Sequence, residues 1–177
     1  MADRKTNTRI AQVGFSLPEA LLCVAIIAIM LRLALPLFSP LYEEEGRRLL
    51  AEFDAVLHTA RSAAIRQGQP VRVCPAGTAH ACGNDWRQGV MAILENPDAA
   101  QPLIAHRPWQ DVQGTLSWRA FGNRQYLVID ATGSLDYQNG TLLWCPPHDL
   151  DATAQQLIVN SAGRTRRVTG VTDARCE

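Results

Sequence analysis

Four cysteines, Cys74, Cys82, Cys145 and Cys176, are the residues of this chain best placed to make covalent bonds. In a small extracytoplasmic domain, four thiols read as two disulfides. Sequence alone allows about three pairings. Cys74–Cys82 with Cys145–Cys176 is preferred, because the first pair closes a short loop containing Gly and Pro and the second tethers the C-terminus. The fifth cysteine, Cys23, lies inside an apolar run and is expected to stay unpaired as a packing residue. Zinc is the competing chemistry, through Cys74, His80 and Cys82. No C-x-x-C pair and no second ligand pair at finger spacing accompany them, which argues against a metal site.

Other reactive side chains do not converge. His58, His80, His106 and His148 are scattered, and no G-x-S-x-G, H-E-x-x-H or glycine-rich phosphate loop occurs. Asp130, Asp136, Asp149 and Asp151 lie beside glycine or proline and read as turn residues. The chain is therefore expected to be no enzyme and to need no cofactor. One cluster points outward instead: Gly163-Arg164-Thr165-Arg166-Arg167, on a turn near the C-terminus, is rich enough in guanidinium groups to meet phosphate oxygens. The formal net charge is +0, so any nucleic-acid contact has to come from such a local patch and not from bulk charge.

The segment Gly14-Phe15-Ser16-Leu17-Pro18-Glu19 sets the topology. A polar leader with Arg4, Lys5 and Arg9 ends at Gly14, and an apolar run, Ala20 to Phe38, follows a lone acid, Glu19. An ordinary secretory signal has its apolar region before the cut. Here the run follows the glycine and stays on the mature protein. The basic leader keeps the N-terminus cytoplasmic and sends the remainder outward. Arg32 falls about 26 Å beyond Phe15 at the helical rise, near the far edge of a hydrocarbon core about 30 Å thick. Glu19 is unusual, since a carboxylate in a membrane helix costs about 2.5–3.5 kcal/mol and marks a functional position.

From Glu19 to Gln67 the composition predicts one long helix. Its first part is apolar on every side. Pro36 and Pro40 each remove a backbone donor. Beyond Tyr42 an amphipathic stripe appears, Leu49, Phe53, Val56, Leu57, Ala60 and Ala64, and Gly68 with Pro70 ends the helix. After it come short β-rich runs: Val71–Val73, Val90–Leu94, Tyr126–Ile129, Leu142–Trp144 and Leu157–Val159. Turn residues at Asn96-Pro97-Asp98, Thr132-Gly133 and Asn139-Gly140 separate them. Trp86, Trp109, Trp118 and Trp144 are expected in the core. The fold class is α+β, a small antiparallel β-head packed on the stripe.

The glycine, the following Phe15 and the acid at Glu19 resemble the prepilin leader of type IV pilins and type II secretion pseudopilins. The interior pieces Val73-Cys74-Pro75, Cys82 through Gly89, Phe121, Gly133, Cys145 and Asn160 through Arg164 resemble the FimT/GspH family of minor pilins. That resemblance implies cleavage between Gly14 and Phe15 by a prepilin peptidase and N-methylation of Phe15. It also implies that Glu19 pairs with the N-terminal amine of a neighbouring subunit. The implied layout is a leader over 1–14, a transmembrane and assembly helix over 15–41, its amphipathic half over 42–68 and a periplasmic head over 69–177. The implied function is a minor pilin at the tip or priming complex of a type IV pilus (FimT- or FimU-like), with a GspH-type minor pseudopilin of a type II secretion system as the alternative. Implied partners are other pilins or pseudopilins, the peptidase, the inner-membrane assembly platform and double-stranded DNA. Some FimT-like members bind DNA through a G-R-x-R element, here Arg164 and Arg166, with Arg167 beside them. The implied location is the inner membrane with a periplasmic head, then the pilus or pseudopilus.

Overall fold

The computed structural model describes residues 16–34, 39–78, 81–95, 102–135, 138–147, 153–171 and 176. The chain divides into two compact units, Met1–Leu37 and Phe38–Glu177.

The first unit holds α1, Leu17–Ala34. Glu19 and Ala20 donate their backbone N–H groups to the Ser16 carbonyl, which starts the helix. Pro18 falls in that first turn, where its missing donor costs no helical hydrogen bond. Large apolar side chains sit all round the helix and are exposed, Leu21 at 63% and Ile29 at 60% among them. Eighteen residues extend about 27 Å. Among the described residues, no helix is long and apolar enough to cross a membrane.

The second unit opens with α2, Ser39–Gln67. The single helix expected from residue 19 to 67 is thus described as two, with residues 35–38, including Pro36, outside the described set. Pro40 lies in the first turn of α2, so it removes no hydrogen bond from the helix interior. The helix therefore begins ahead of the boundary drawn at residue 42. It ends as the sequence indicates: Gly68 takes φ +63° and Gln69 N–H returns to the Ala64 carbonyl at 3.3 Å, a Schellman closure.

Two four-stranded antiparallel sheets pack on α2, in keeping with the α+β class expected. The strands are β1 (Val71–Pro75), β2 (Gly89–Leu94), β3 (Leu103–Pro108), β4 (Thr115–Ala120), β5 (Leu127–Ile129), β6 (Gly140–Cys145), β7 (Ala154–Val159) and β8 (Thr165–Val171). The first sheet runs β3-β2-β1-β5 and the second β4-β6-β7-β8. Runs visible in the sequence became β1, β2, β5, β6 and β7. β3, β4 and β8 were not anticipated, because their alternation is diluted by polar residues such as His106, Arg119 and Arg166.

The predicted stripe is the centre of the core. Leu49, Phe53, Ala60 and Ala64 are fully buried, and Val56 and Leu57 nearly so. Phe53 meets Trp86 and Trp118 at ring-centroid distances of 5.5 and 5.8 Å, and those two indoles lie 5.8 Å apart. One aromatic cluster therefore ties the helix to the second sheet and to the short 3-10 turn Trp86–Gln88. Trp144 is completely buried beneath Gly46, where an added Cβ would stand 2.5 Å from the indole Cε3. Gly46 lets the helix backbone approach the β6 tryptophan.

Carboxylates fix the same helix from its polar side. Glu43 Oε1 accepts the Thr153 hydroxyl at 3.1 Å, and the Glu43 carbonyl accepts the buried Gln155 amide at 2.6 Å. Glu45 accepts the Gln113 N–H at 2.9 Å and Glu52 the Trp109 indole N–H at 2.7 Å. These acids therefore clamp the β3–β4 connection and the start of β7 onto the helix.

Candidate functional site

Gly14 and Phe15 lie outside the described residues. Glu19 stands in the first turn of α1 and is exposed. A carboxylate at a helix N-terminus is favoured by the macrodipole, so its position is compatible with the helix.

The structure forms both preferred disulfides. Cys74 in β1 joins Cys82 across a short loop with a Cα–Cα distance of 5.6 Å, and the Ala76–Cys82 bridge continues β1 past it. Cys145 at the end of β6 joins Cys176 at 5.7 Å and holds the C-terminus against the second sheet. With Cys74 and Cys82 bonded to each other, neither is a thiolate for zinc. Cys23 is free and exposed on α1.

The arginine cluster is split by strand geometry. The sequence placed all three arginines on a turn, but only Arg164 closes the turn, while Arg166 and Arg167 belong to β8. The turn itself is built by Asn160, whose carbonyl accepts Gly163 N–H and whose Oδ1 accepts Arg164 N–H, both at 2.9 Å. Gly163 supplies the φ of +71° that this turn requires. Successive strand residues then face opposite sides.

Pairing register says which side is which, since directly paired residues share a face. Trp118, Leu142, Leu157 and Arg167 form one row across the second sheet, and the first three are buried toward α2. Arg167 ends that row with its guanidinium 3.5 Å from Asp54 of α2. This ion pair ties the edge strand to α2, with the Arg167 side chain still 42% exposed. The adjacent row, Arg119, Thr141, Ile158 and Arg166, faces away from the helix. Arg166 thus shares an outer face with Arg119 from the far strand, which sequence reasoning missed because neither β4 nor β8 was visible. Arg164, two positions before Arg166, extends the same side of the chain at the turn, and all three arginines are exposed.

Next to this turn lies a second one with similar chemistry. Asp130 accepts hydrogen bonds from Thr132 N–H at 2.8 Å, Thr132 Oγ1 at 2.6 Å, Ser134 N–H at 3.0 Å and Ser134 Oγ at 3.0 Å. The Thr132 hydroxyl, joined by the Ser134 and backbone donors, holds its carboxyl down at about 2, against the opposing effect of burial. The two turns meet where Leu135 N–H donates to the Ser161 carbonyl at 3.0 Å. Asp130 therefore does turn chemistry, as expected; Asp136, Asp149 and Asp151 lie outside the described residues.

A family model described as "Type II transport protein GspH" matches residues 50–163. Among solved structures, the chain is similar to the type IV minor pilin FimU of Pseudomonas aeruginosa. In one crystal form the identity is 20% over 70% of this chain and 87% of that one, with a TM-score of 0.53. The minor pseudopilin EpsH from the type 2 secretion system of Vibrio cholerae is similar at 13% identity, over 71% of this chain and 97% of that one, with a TM-score of 0.53. At such identities the likeness is one of fold. A search of curated proteins by sequence returns no significant match.

Proposed function

This chain belongs to the GspH family of minor pilins and pseudopilins, and from that premise we propose that it is a minor pilin of a type IV pilus. A prepilin peptidase cuts it between Gly14 and Phe15 and methylates the new amine of Phe15. The chain is the substrate in that reaction and no enzyme itself. The mature helix enters the inner membrane with the head in the periplasm, and the assembly platform then passes the subunit into the tip or priming complex.

The observation that carries this reading is α1. Its apolar side chains are exposed on every side, Leu21, Leu22, Val24 and Met30 all above 60%, around one acid at the first turn. Such a surface is stable in lipid or against copies of similar helices, and unstable in water. The Glu19 carboxylate then meets the N-terminal amine of the next subunit, an ion pair that is strong where water is excluded. The cysteine pairs favour the pilus over the secretion machine, whose related subunits usually lack them. Arg164 in the turn and Arg166 on the outer side of β8, both exposed, support a second role in contacting DNA phosphates.

Deletion of the gene tests the machine. The expected result is fewer sheared surface pili, with type II secreted enzymes at normal levels in the medium. Normal piliation with enzymes trapped in the periplasm would assign the chain to a pseudopilus instead.

A further inference from the structure

We infer that the outer face of the β4-β6-β7-β8 sheet is a binding site for single-stranded nucleic acid, with an unpaired base stacked on Phe121. This rests on the reading of Arg164 and Arg166 as phosphate contacts and names a further element of that site.

Three observations converge on it. The strands of this sheet carry Arg119, Arg166 and Arg167 and no acidic residue. Arg119 and Arg166 stand at opposite ends of one outward row, separated by Thr141 and Ile158. Three strand spacings put them about 14 Å apart, a span that several successive phosphates of an extended strand cover. Arg164 lies two residues before Arg166, at the turn end of the sheet where β4 also runs into Phe121.

At the other end of the row, β4 runs into the turn Phe121–Asn123. Phe121 is 84% exposed, the most exposed large apolar residue among the described residues of the second unit. Gly122 at φ +73° and Asn123 at φ +55° shape the turn that presents it, and the exposed Arg124 follows. Phe121 follows Arg119 by two residues across the extended Ala120, about 7 Å between Cα atoms at strand rise.

A duplex keeps its bases paired and stacked internally, so an isolated ring beside a basic row adds nothing to duplex binding. An unpaired base gains a stacking partner there, and base–aromatic stacking tolerates any sequence. The arginines bind backbone of either form; Phe121 discriminates between them.

The test is fluorescence anisotropy of the detergent-solubilised full chain with a labelled unstructured oligonucleotide and with a duplex of equal length. The single strand should bind about tenfold more tightly, the size expected for one stacked base. Phe121→Ala should abolish that preference, and Phe121→Trp should keep it. Arg119→Gln and Arg166→Gln should each lower the slope of log affinity against log salt by about 0.7 for the single strand. Arg167→Gln, on the helix face, should leave the slope unchanged. Equal affinity for both forms, an unaffected preference in Phe121→Ala, or an equal slope change in Arg167→Gln would overturn the inference while leaving the phosphate reading in place. Binding to neither form, with the face engaging a neighbouring protein subunit instead, would overturn both and leave the pilin assignment untouched.

Discussion

Helices α1 and α2 follow one another in the chain and solve opposite problems. Both are rich in helix formers, but α2 confines its apolar residues to one stripe while α1 carries them on every side. The stripe of α2 is covered by two sheets of the same molecule, and Leu49, Phe53 and Ala60 are fully buried. The large apolar residues of α1 from Leu17 to Leu31 remain between 48% and 78% exposed. The difference is that periodicity announces a partner inside the chain, and its absence announces one outside it. One helix is a fold element and the other an assembly element.

Changes in α2 and its partners should unfold the head; changes in α1 should leave it standing. The largest expected effect is Phe53→Ala, which empties the centre of the Phe53–Trp86–Trp118 cluster. It should cost about 3–5 kcal/mol, seen as a lowered thermal midpoint of the detergent-solubilised protein. An unchanged midpoint would mean that the cluster is not the head's centre.

The disulfides rank next. Loop entropy gives about 3.7 kcal/mol for a closure of 31 residues and about 2.5 for one of 8. Replacing both Cys145 and Cys176 by Ser should therefore lower the midpoint more than replacing both Cys74 and Cys82. The reverse order would show that the C-terminus is held by something other than its bridge.

Gly46→Ala tests the close approach of α2 to β6. Alanine gains about 1 kcal/mol of helix propensity and forces Cβ into the Trp144 ring, an overpacking worth about 1–3 kcal/mol. A net loss of stability is expected, where a solvent-facing glycine in the same helix would show a gain.

Asp130 gives a pH signature. Its folded pKa is lowered to about 2, from an unfolded value of about 3.9. A depressed carboxyl contributes stability that is present above the unfolded value and lost as pH falls through the folded one. The wild type should lose more stability than Asp130→Asn on acidification through that window, measured by denaturant midpoints. Parallel curves for the two proteins would remove Asp130 as a turn-holding charge. The smallest effect closes the comparison: Leu22→Ala with Ile26→Ala in α1 should leave the head's thermal midpoint unchanged and reduce recovery of the chain in pilus fractions.

Legibility in the sequence follows the same division. The stripe of α2, its stop at Gly68 and the core tryptophans were readable because burial on one side imposes a pattern. The cysteine pairing was readable from loop length and turn content. The division of the arginines was not. Thr165-Arg166-Arg167-Val168 shows little apolar alternation, since an edge strand has fewer buried positions, so β8 passed for a turn. Once it is a strand, adjacent Arg166 and Arg167 must part, and only the register through β7 and β6 brings Arg119 to the first of them. The role of Gly46 was hidden for the same reason: it is set by Trp144, nearly a hundred residues later in the chain.

The most direct measurement is mass spectrometry of the N-terminus of the protein isolated from membranes. The chain should begin at Phe15 with a methylated amine and retain the whole apolar run of α1. A protein still joined to residues 1–14, or one cut after the apolar run so that α1 is lost, would contradict it.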